Sequence, residues 1–353
     1  MTTGKGAQKP SVAVIGAGAV GLPQAILLLE RGYRVTLYTD AISKAGMPSF
    51  AAPAIVQPYS TVRPEDMPTG AKRERLERRW AAWTKTSWKR FARLAKEDCG
   101  VRSMRHTEVL ERREPLPFYY KIMRGFEELD IESDRGMKPA WRFQTFGIEM
   151  GRYMRYLMKR FKQLHGRLVI RKMTPDGLEK LEEDAIVNCA GVGAMALRRD
   201  NEVRVGKGLV LVMRPGKSKR ARSMGDGDYC WVTHSDMLKI GCGYKEGDIS
   251  ARPDAGDMDM MVRKSAAWSK TRLAHEDGIA DRLAYLGSNG RKVVKEVHVG
   301  IFATRKSGPR VEASRLPNGK IIVDNYGHGY CGVTYSWGAA AEAADILERE
   351  LES

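Results

Sequence analysis

Long apolar runs are missing from this 353-residue sequence. The first apolar stretch, residues 11–15, meets Gly16 at once, and no later stretch reaches the length of about 18 apolar residues that a membrane-spanning helix needs. The first residues include Lys5 and Lys9 but no apolar segment followed by a small-residue cleavage site, so no signal peptide is indicated. The sequence therefore predicts a soluble, cytoplasmic protein.

Cysteine pairs and the usual catalytic clusters are also missing. The five cysteines are scattered and never stand in a Cys-x-x-Cys pair, so neither a zinc site nor a disulfide framework is indicated. The sequence shows no Ser-His-Asp order, no metal-ligand cluster and no Walker-type loop. We therefore expect a reducing compartment and no bound metal.

Acidic residues are outnumbered by basic ones, and the formal net charge is +17. Such a balance suits nucleic acid, an acidic membrane surface, or an anionic substrate or partner. Between Lys72 and Arg93 the basic residues alternate with aromatic ones at a spacing that separates the two types onto opposite helix faces. These aromatic residues are Trp80, Trp83, Trp88 and Phe91. We interpret the segment as a solvated helix packed on the core, with a nucleic-acid contact surface as the alternative.

A β-α-β unit with a glycine-rich first turn occupies the N-terminal region. A strand pattern at residues 12–15 leads through Gly16-Ala17-Gly18-Ala19-Val20-Gly21 into a helix pattern, and a second strand pattern ends before Asp40. Glycines in this turn let the backbone approach a pyrophosphate, the helix N-terminus offers free N–H groups, and the acidic residue can bond a ribose hydroxyl. The unit predicts dinucleotide binding, and a glycine-rich turn without a ligand is the alternative.

The rest of the chain predicts a two-domain α/β protein. Residues 60–139 read as mostly helical, and residues 168–170, 185–191 and 320–324 read as strands that return to the first sheet. Residues 206–300 alternate apolar and polar residues, which is typical of antiparallel strands. We predict a doubly wound, Rossmann-like dinucleotide domain (1–60, 140–205 and 298–353) and a largely antiparallel β substrate domain (61–139 and 206–297).

Several motifs, in this order, resemble the D-amino-acid oxidase family, and the resemblance covers essentially the whole chain. After the glycine turn come Ala51-Ala52 with Val56-Gln57-Pro58-Tyr59, then Val187-Asn188-Cys189-Ala190-Gly191, then Gly206-Lys207-Gly208. The most specific match is Asn325-Tyr326-Gly327-His328-Gly329-Tyr330-Cys331-Gly332-Val333-Thr334, which is similar to the loop that touches the flavin ring in that family.

The resemblance implies a non-covalent FAD cofactor in a glutathione-reductase-like fold. It implies oxidation of a C–H bond next to an amine nitrogen by hydride transfer to flavin N5, with O2 reoxidising the flavin to give H2O2, and no obligatory catalytic side chain. The cofactor-binding residues that it implies are Gly16, Gly18, Val20, Gly21, Asp40, Ala51, Ala52, Gln57, Met173, Cys189, Gly191, Arg305, Gly329, Tyr330, Cys331, Gly332, Val333 and Thr334.

The sequence departs from the family where the substrate is expected. The family's carboxylate-binding arginine stands two residues after a glycine, and here Phe302 has that place after Gly300, leaving Arg305 and Arg310 as other candidates. The implied pocket residues are Tyr229, Phe302, Arg305, Tyr330 and Gln57. For Tyr229 ordinary strand packing is the alternative, and the lid around residues 224–228 is shorter than in the family.

Because of these departures, a simple D-amino acid is only the default substrate that the family implies, and a modified amino acid or secondary amine is the alternative. The basic cluster Arg214, Lys217, Lys219, Arg220 and Arg222 near that lid would attract an anionic or carrier-bound substrate, with a solvated loop as the alternative.

Two histidines, His328 and His234, lie in predicted turns. We expect His328 and His234 to be turn residues rather than catalytic ones. The competing hypotheses are a nucleic-acid-binding flavoprotein and a flavoprotein without turnover. We expect no membrane partner and no nucleic acid, and a homodimer is open.

Overall fold

The computed structural model describes residues 9–42, 48–215, 221–227, 229–250 and 252–353. Within these residues the strands form a six-stranded sheet and an eight-stranded sheet. None of the helices in the described ranges combines the length and the apolar character needed to cross a bilayer.

The central strands of the first sheet are short apolar segments that are buried on both faces, as parallel strands covered by helices require. Its order is β13-β14-β7-β1-β2-β6, and all neighbours are parallel except β13 and β14. The strands are β1 (Ser11–Ile15), β2 (Arg34–Thr39), β6 (Arg167–Ile170), β7 (Ala185–Asn188), β13 (Arg310–Arg315) and β14 (Ile321–Tyr326).

Helices pack on this sheet and on each other. They are α1 (Gly21–Glu30), α2 (Gly70–Leu94), α3 (Met150–Gln163), α4 (Pro175–Glu179), α5 (Ala194–Arg198) and α9 (Gly332–Glu352). In α2 the side chains of Trp80, Trp83 and Phe91 are buried in the core that α9 shares, which confirms the predicted aromatic face. Helices α2 and α9 approach so closely that a Cβ on Gly338 would lie 2.3 Å from the Cα of Trp83.

The second sheet has the order β12-β8-β11-β10-β9-β3-β5-β4 and is antiparallel except between β3 and β9. Its strands are β3 (Val101–Val109), β4 (Arg124–Ser133), β5 (Gly136–Ile148), β8 (Val203–Met213), β9 (Arg222–Gly225), β10 (Tyr229–Thr233), β11 (Leu238–Glu246) and β12 (Glu296–Arg305). Three helices, α6 (Ala255–Trp268), α7 (Arg272–Glu276) and α8 (Ala280–Asn289), contribute to a core on one of its faces.

The pairing register shows which side chains share the other face. Paired residues point to the same side, and in this register His298 pairs with Val210, Val210 with Gly241, Gly241 with Cys230, Cys230 with Gly225, and Gly225 with Glu108. A Cβ on Gly241 would lie 3.3 Å from Pro53 Cγ, so this face is turned toward the loop at residues 51–59. We call it the loop-facing side.

Two sequence-based expectations were wrong. Residues 101–139 are not mostly helical but form β3, β4 and the start of β5. The many charged residues of edge strand β4 conceal the alternation of apolar and polar residues that would indicate a strand. Residues 255–289 are not antiparallel strands but helices α6 to α8. The predicted doubly wound sheet with a second, largely antiparallel sheet is confirmed. The domain boundaries stay a prediction, and those at 139/140, 205/206 and 297/298 fall inside β5, β8 and β12.

Candidate active site

The parallel strands of the first sheet bring most of the predicted cofactor residues to one edge. Parallel strands all end at the same side of a sheet, and ligands of such sheets bind beyond those ends. The residues that follow them are Gly16 after β1, Asp40 after β2, Met173 after β6, Cys189 and Gly191 after β7, and residues 327–331 after β14. Segments far apart in the chain thus form one continuous edge.

The glycine turn between β1 and α1 leaves no room for a side chain at Gly21. A Cβ there would lie 1.7 Å from the carbonyl oxygen of Gly16, so the helix can start only with glycine at this point. A Cβ on Gly18 would lie 3.2 Å from Ser49 Oγ, and the same hydroxyl accepts a hydrogen bond from the Ala19 N–H at 3.0 Å. Within the described chain, no side chain caps helix α1 at Val20. The backbone N–H groups of its first turn are therefore available to an anion.

Asp40 and Met173 are placed differently at this edge. Asp40 is exposed directly beyond β2. Met173 is partly buried against Leu178 and its neighbours beyond β6. Both positions border the space beyond the strand ends where the glycine turn lies.

The loop between β14 and α9 meets the glycine turn from the other side. Gly329 has φ +52°, and a Cβ there would lie 2.7 Å from Thr304 Cγ2, so only glycine fits against β12. A Cβ on Gly332 would lie 3.9 Å from Val20 Cγ2, which places the start of α9 beside the start of α1. Helix α9 also has no side-chain cap at Cys331 among the described residues.

Residues 51–59 are joined to the same loop by hydrogen bonds. The Thr334 hydroxyl donates to the Gln57 carbonyl at 3.0 Å, and the Tyr59 N–H donates to Cys331 Sγ at 3.1 Å. The segment also lies on the second sheet, because Ala51 Cβ is 3.2 Å from where a Cβ on Gly300 would stand and Lys239 Nζ donates to the Ala52 carbonyl at 2.6 Å. Residues 51–59 thus lie between the loop of residues 325–334 and the loop-facing side of the second sheet.

Two histidines near this region serve structure. His328 is buried, its Nε2–H donates to Asn325 Oδ1 at 2.8 Å, and burial lowers its pKa to about 3. His234 follows β10, its Nε2 lies 3.3 Å from the Pro53 carbonyl, and burial lowers its pKa to about 4. Both rings are therefore neutral near pH 7 and hold turns, as the sequence predicts.

Phe302 and Tyr229 face opposite sides of the second sheet. Phe302 lies on the loop-facing side beside Gly208, with its ring centroid 5.1 Å from that of Tyr330, which is 52% exposed. Tyr229 is one residue out of phase with Cys230, is buried among α6 to α8, and its hydroxyl lies 2.7 Å from Ser265 Oγ. The structure therefore does not bring Tyr229 together with the other predicted pocket residues.

The two candidate arginines are committed to other carboxylates. Arg305 is out of phase with Phe302 on β12, and its guanidinium lies 2.8 Å from both Asp200 Oδ2 and Glu202 Oε2. Arg310 Nε lies 2.6 Å from Glu312 Oε1 and 3.3 Å from Asp324 Oδ2. The structure places neither guanidinium with Phe302, Tyr330 and Gln57.

A polar cluster that the sequence does not reveal lies around Glu108 on the loop-facing side. We call Gln57, Tyr59, His106, Glu108, Tyr119 and Ser223 the Glu108 cluster. Glu108 Oε2 is 3.0 Å from His106 Nε2 and 3.2 Å from both Gln57 Nε2 and the Tyr59 hydroxyl. Burial, together with the Glu108 charge, raises the pKa of Tyr59 and of Tyr119, so both phenols stay protonated donors. The signal was missed because residues 101–109 were read as helix, where residues two apart do not share a face.

Part of the predicted basic cluster cannot be placed. Residues 216–220 lie outside the described residues, and so does Asp228 of the short lid. Within the described part, Arg222 Nε lies 3.7 Å from Asp277 Oδ1, on the side of the sheet that carries the helices. The steering hypothesis therefore stays a prediction.

Comparison with known proteins identifies the family. The family model described as DAO, FAD dependent oxidoreductase, matches residues 11–346. This chain belongs to that family. It is 31% identical over 346 residues to the D-amino-acid oxidase of Rubrobacter xylanophilus, with 96% of each chain covered, and 26% identical to the D-aspartate oxidase of Talaromyces thermophilus, with 96% of this chain and 95% of that protein covered.

Solved structures show the same fold. Glycine oxidase from Geobacillus kaustophilus superposes with a TM-score of 0.68 at 15% identity, covering 97% of this chain and 95% of that one. Amadoriase I from Aspergillus fumigatus gives a TM-score of 0.64 at 14% identity, covering 97% and 87%. This chain thus has the fold of these oxidases.

The DAO-family cofactor fits the edge of the first sheet. FAD is a dinucleotide, and the crowded glycine turn with uncapped α1 amides is the arrangement that accepts a pyrophosphate. Val20 and Gly332 are adjacent, so an FAD held by the turn would extend to the start of α9 and to residues 51–59. The residues expected to hold FAD stay a prediction, and Arg305 fits it poorly because its guanidinium is held by carboxylates. The protein is an FAD-dependent oxidoreductase of the DAO family.

Proposed function

We propose that this DAO-family protein oxidises the C–N bond of a modified amino acid or a secondary amine, in preference to a simple D-amino acid. The single observation that carries the proposal is Phe302 on the loop-facing side at the place where the family's carboxylate-binding arginine is expected. An aromatic ring gives no bidentate contact to a carboxylate, whereas a guanidinium gives two parallel hydrogen bonds.

The neighbouring arginines do not replace the missing one. Arg305 pairs with Asp200 and Glu202, and Arg310 pairs with Glu312 and Asp324, so either guanidinium would have to break its ion pairs to reach a substrate. Arg305 and Arg310 therefore serve the structure, and the substrate end near Phe302 is apolar.

The proposed chemistry follows from the cofactor class. Bound FAD supplies a hydride acceptor, which O2 then reoxidises with formation of H2O2. The substrate loses a hydride from the carbon next to nitrogen and a proton from nitrogen, so that a C=N bond forms, and water later hydrolyses this imine. Phe302 and Tyr330 would orient the substrate and exclude water, which requires no side-chain acid or base.

The proposal is tested with the FAD-loaded protein and a panel of amines. Peroxide release should give a larger kcat/KM for secondary amines and carboxylate-free amines than for the matching simple D-amino acids. Phe302→Arg should raise kcat/KM for simple D-amino acids about tenfold, the value of one good charge-assisted contact, while Phe302→Leu should not. A wild-type preference for simple D-amino acids with no gain in Phe302→Arg would contradict the proposal.

The same assay tests whether O2 is the electron acceptor. Anaerobic loss of flavin colour without peroxide release in air would make the protein a dehydrogenase. The cytoplasmic location, a carrier-bound substrate and a homodimer stay predictions.

A further inference from the structure

The Glu108 cluster lies next to the loop of residues 325–334. Its members other than Gln57 and Tyr59 belong to none of the motifs that resemble the family's FAD-binding segments. Tyr59 contacts Glu108 through its hydroxyl at 3.2 Å and Cys331 through its backbone N–H at 3.1 Å. Gln57 likewise contacts Glu108 through Nε2 and Thr334 through its carbonyl. Only Tyr59 and Gln57 would therefore separate a group bound at Glu108 from the loop at the start of α9.

The carboxylate of Glu108 is held in position through one of its two oxygens. His106 Nε2, Gln57 Nε2 and the Tyr59 hydroxyl all reach Oε2, and His106 is itself fixed by Ser223 Oγ 2.9 Å from Nδ1. No donor among the described residues reaches Oε1 of Glu108. The side chain of Glu108 is 13% exposed, so it is enclosed but not completely buried.

A second acceptor in the cluster has no donor. Gln57 is 1% exposed, and its Oε1 is buried without a hydrogen-bond partner in the described structure. The orientation of this amide is fixed, because its NH2 group must face the Glu108 carboxylate. A buried amide oxygen without a donor lowers stability, and a ligand N–H group would restore its hydrogen bond. The cluster therefore has two acceptor oxygens, Glu108 Oε1 and Gln57 Oε1, that no donor in the described structure reaches.

The Glu108 carboxylate has no lysine or arginine partner in the described part of the chain. Its contact at ion-pair distance is the His106 imidazole, which balances the carboxylate only when the ring is protonated. Lys239 lies on the same face three strands away and donates to the Ala52 carbonyl. Arg105, out of phase with His106 and Glu108, faces the opposite side, near Asp277. A carboxylate in this setting attracts a cation.

We propose that Glu108 and Gln57 bind a second, protonated nitrogen of the substrate, so that the enzyme acts on a diamine or on an amino-acid derivative with a basic side chain. This inference rests on the proposed function, because it names the substrate class of the same site. The bound nitrogen is not the reacting one, since a carboxylate beside the reacting amine would hold it in the protonated form, which does not release a hydride. An ammonium group offers three donors, enough for Glu108 Oε1 and Gln57 Oε1.

The first test measures binding without turnover. tert-Butylammonium has no C–H bond on the carbon next to nitrogen and cannot be oxidised, while tert-butanol and pivalate have the same shape with neutral and negative charge. Titrated into the FAD-loaded protein and followed by the visible spectrum of the flavin, the ammonium should bind about tenfold more tightly than the alcohol, with pivalate weakest. Equal affinities for the ammonium and the alcohol in the wild type would overturn the proposal.

The second test uses a variant with a matched control. Glu108→Gln keeps the shape and the acceptor for Tyr59 and Gln57 but removes the charge, and Glu128→Gln removes an exposed carboxylate from strand β4. The ratio of kcat/KM for 1,5-diaminopentane over pentylamine should fall from about ten to about one in Glu108→Gln and stay unchanged in Glu128→Gln. A cluster with a purely structural role would lower stability in Glu108→Gln but leave this ratio unchanged.

The outcomes separate the two proposals. If amines are oxidised without any preference for a second positive charge, Glu108 and Gln57 do not bind a second nitrogen, whereas the proposed function is supported. Binding of tert-butylammonium that depends on Glu108, with no amine oxidised, would leave the cation site standing and sink the proposed reaction. If Glu108→Gln does not fold, the comparison of the three tert-butyl probes on the wild type decides.

Discussion

Tyr229 and Phe302 are both aromatic residues of the second sheet, yet they face opposite sides of it. The side chains of a strand alternate between faces, so a shift of one position moves a residue from the site to the core. Tyr229 pairs with Cys242 and packs with Trp231 and α6, whereas Phe302 lies beside Gly208. Tyr229, which the resemblance implies as a pocket residue, thus packs in the core of the second sheet.

Removing the Tyr229 hydroxyl tests this placement. Tyr229→Phe leaves Ser265 Oγ without its partner at 2.7 Å, so we expect a loss of about 1–3 kcal/mol of unfolding free energy in denaturant titrations. We expect kcat/KM to change less than twofold, roughly within the scatter of such measurements. A large loss of activity at unchanged stability would place Tyr229 in the pocket after all.

Gly21 offers a second test at the same scale. Gly21→Ala would put a Cβ 1.7 Å from the Gly16 carbonyl, so the turn must open and the amides of α1 must move. We expect the purified variant to lose most of its bound FAD, measured as the flavin-to-protein absorbance ratio. Gly151→Ala is the matched control, because a Cβ there meets only the end of Arg155 at 3.7 Å, and it should keep the wild-type ratio.

At the scale of elements, the junction between β10 and α7 holds a buried acid. Asp277 follows α7 and accepts a hydrogen bond from Trp231 Nε1 at 3.3 Å, and burial raises its pKa to about 6. Because the folded protein binds this proton more tightly than the unfolded chain, with its ordinary pKa of about 3.9, the contribution is present below about pH 4 and is lost as pH rises through about 6.

Asp277→Asn should remove this pH dependence. Asparagine keeps the acceptor for Trp231 and carries no charge, so between about pH 4 and 6 the wild type should lose on the order of 2–3 kcal/mol of unfolding free energy relative to the variant. Denaturant titrations at several pH values measure the difference. The exposed Asp281→Asn on α8 is the control and should follow the wild-type curve; parallel curves for wild type and Asp277→Asn would contradict the raised pKa.

For the whole molecule, the +17 charge does not by itself indicate nucleic-acid binding. The aromatic residues of α2 that could stack on bases, Trp80, Trp83 and Phe91, are buried. Several of its cations face carboxylates, including Arg73 with Glu77 at 2.8 Å and Arg90 with Glu30 at 2.9 Å. These observations favour the solvated helix over the nucleic-acid surface.

FAD should stabilise the whole chain, because its expected path touches segments from both ends of the sequence. Ligand at one hundred times its Kd adds about 2.7 kcal/mol to the unfolding free energy, which shifts Tm upward. The Tm of the deflavinated protein should therefore rise by several degrees when FAD is added. It should rise clearly less with FMN, which lacks the adenylate half that the glycine turn would hold. Equal shifts with FMN and FAD would argue against the turn as a binding element.

Much of this architecture is determined by local sequence. The glycine turn, the apolar strands of the first sheet and the aromatic face of α2 are set by periodicity and by the need for glycine at Gly21, which a sequence displays directly. The edge where the FAD motifs meet also follows from the sequence, because parallel strands end on the same side. The order of motifs was enough to predict the family.

Tertiary structure alone decided the rest of the site. Which residues share a face of the second sheet depends on pairing between strands as distant as β3 and β9, and the strands around Glu108 were hidden in a charged segment. The commitment of Arg305 to Asp200 and the donor-poor environment of Gln57 likewise arise from residues more than fifty positions apart. Register and side-chain partnership are long-range properties, and no local pattern encodes them.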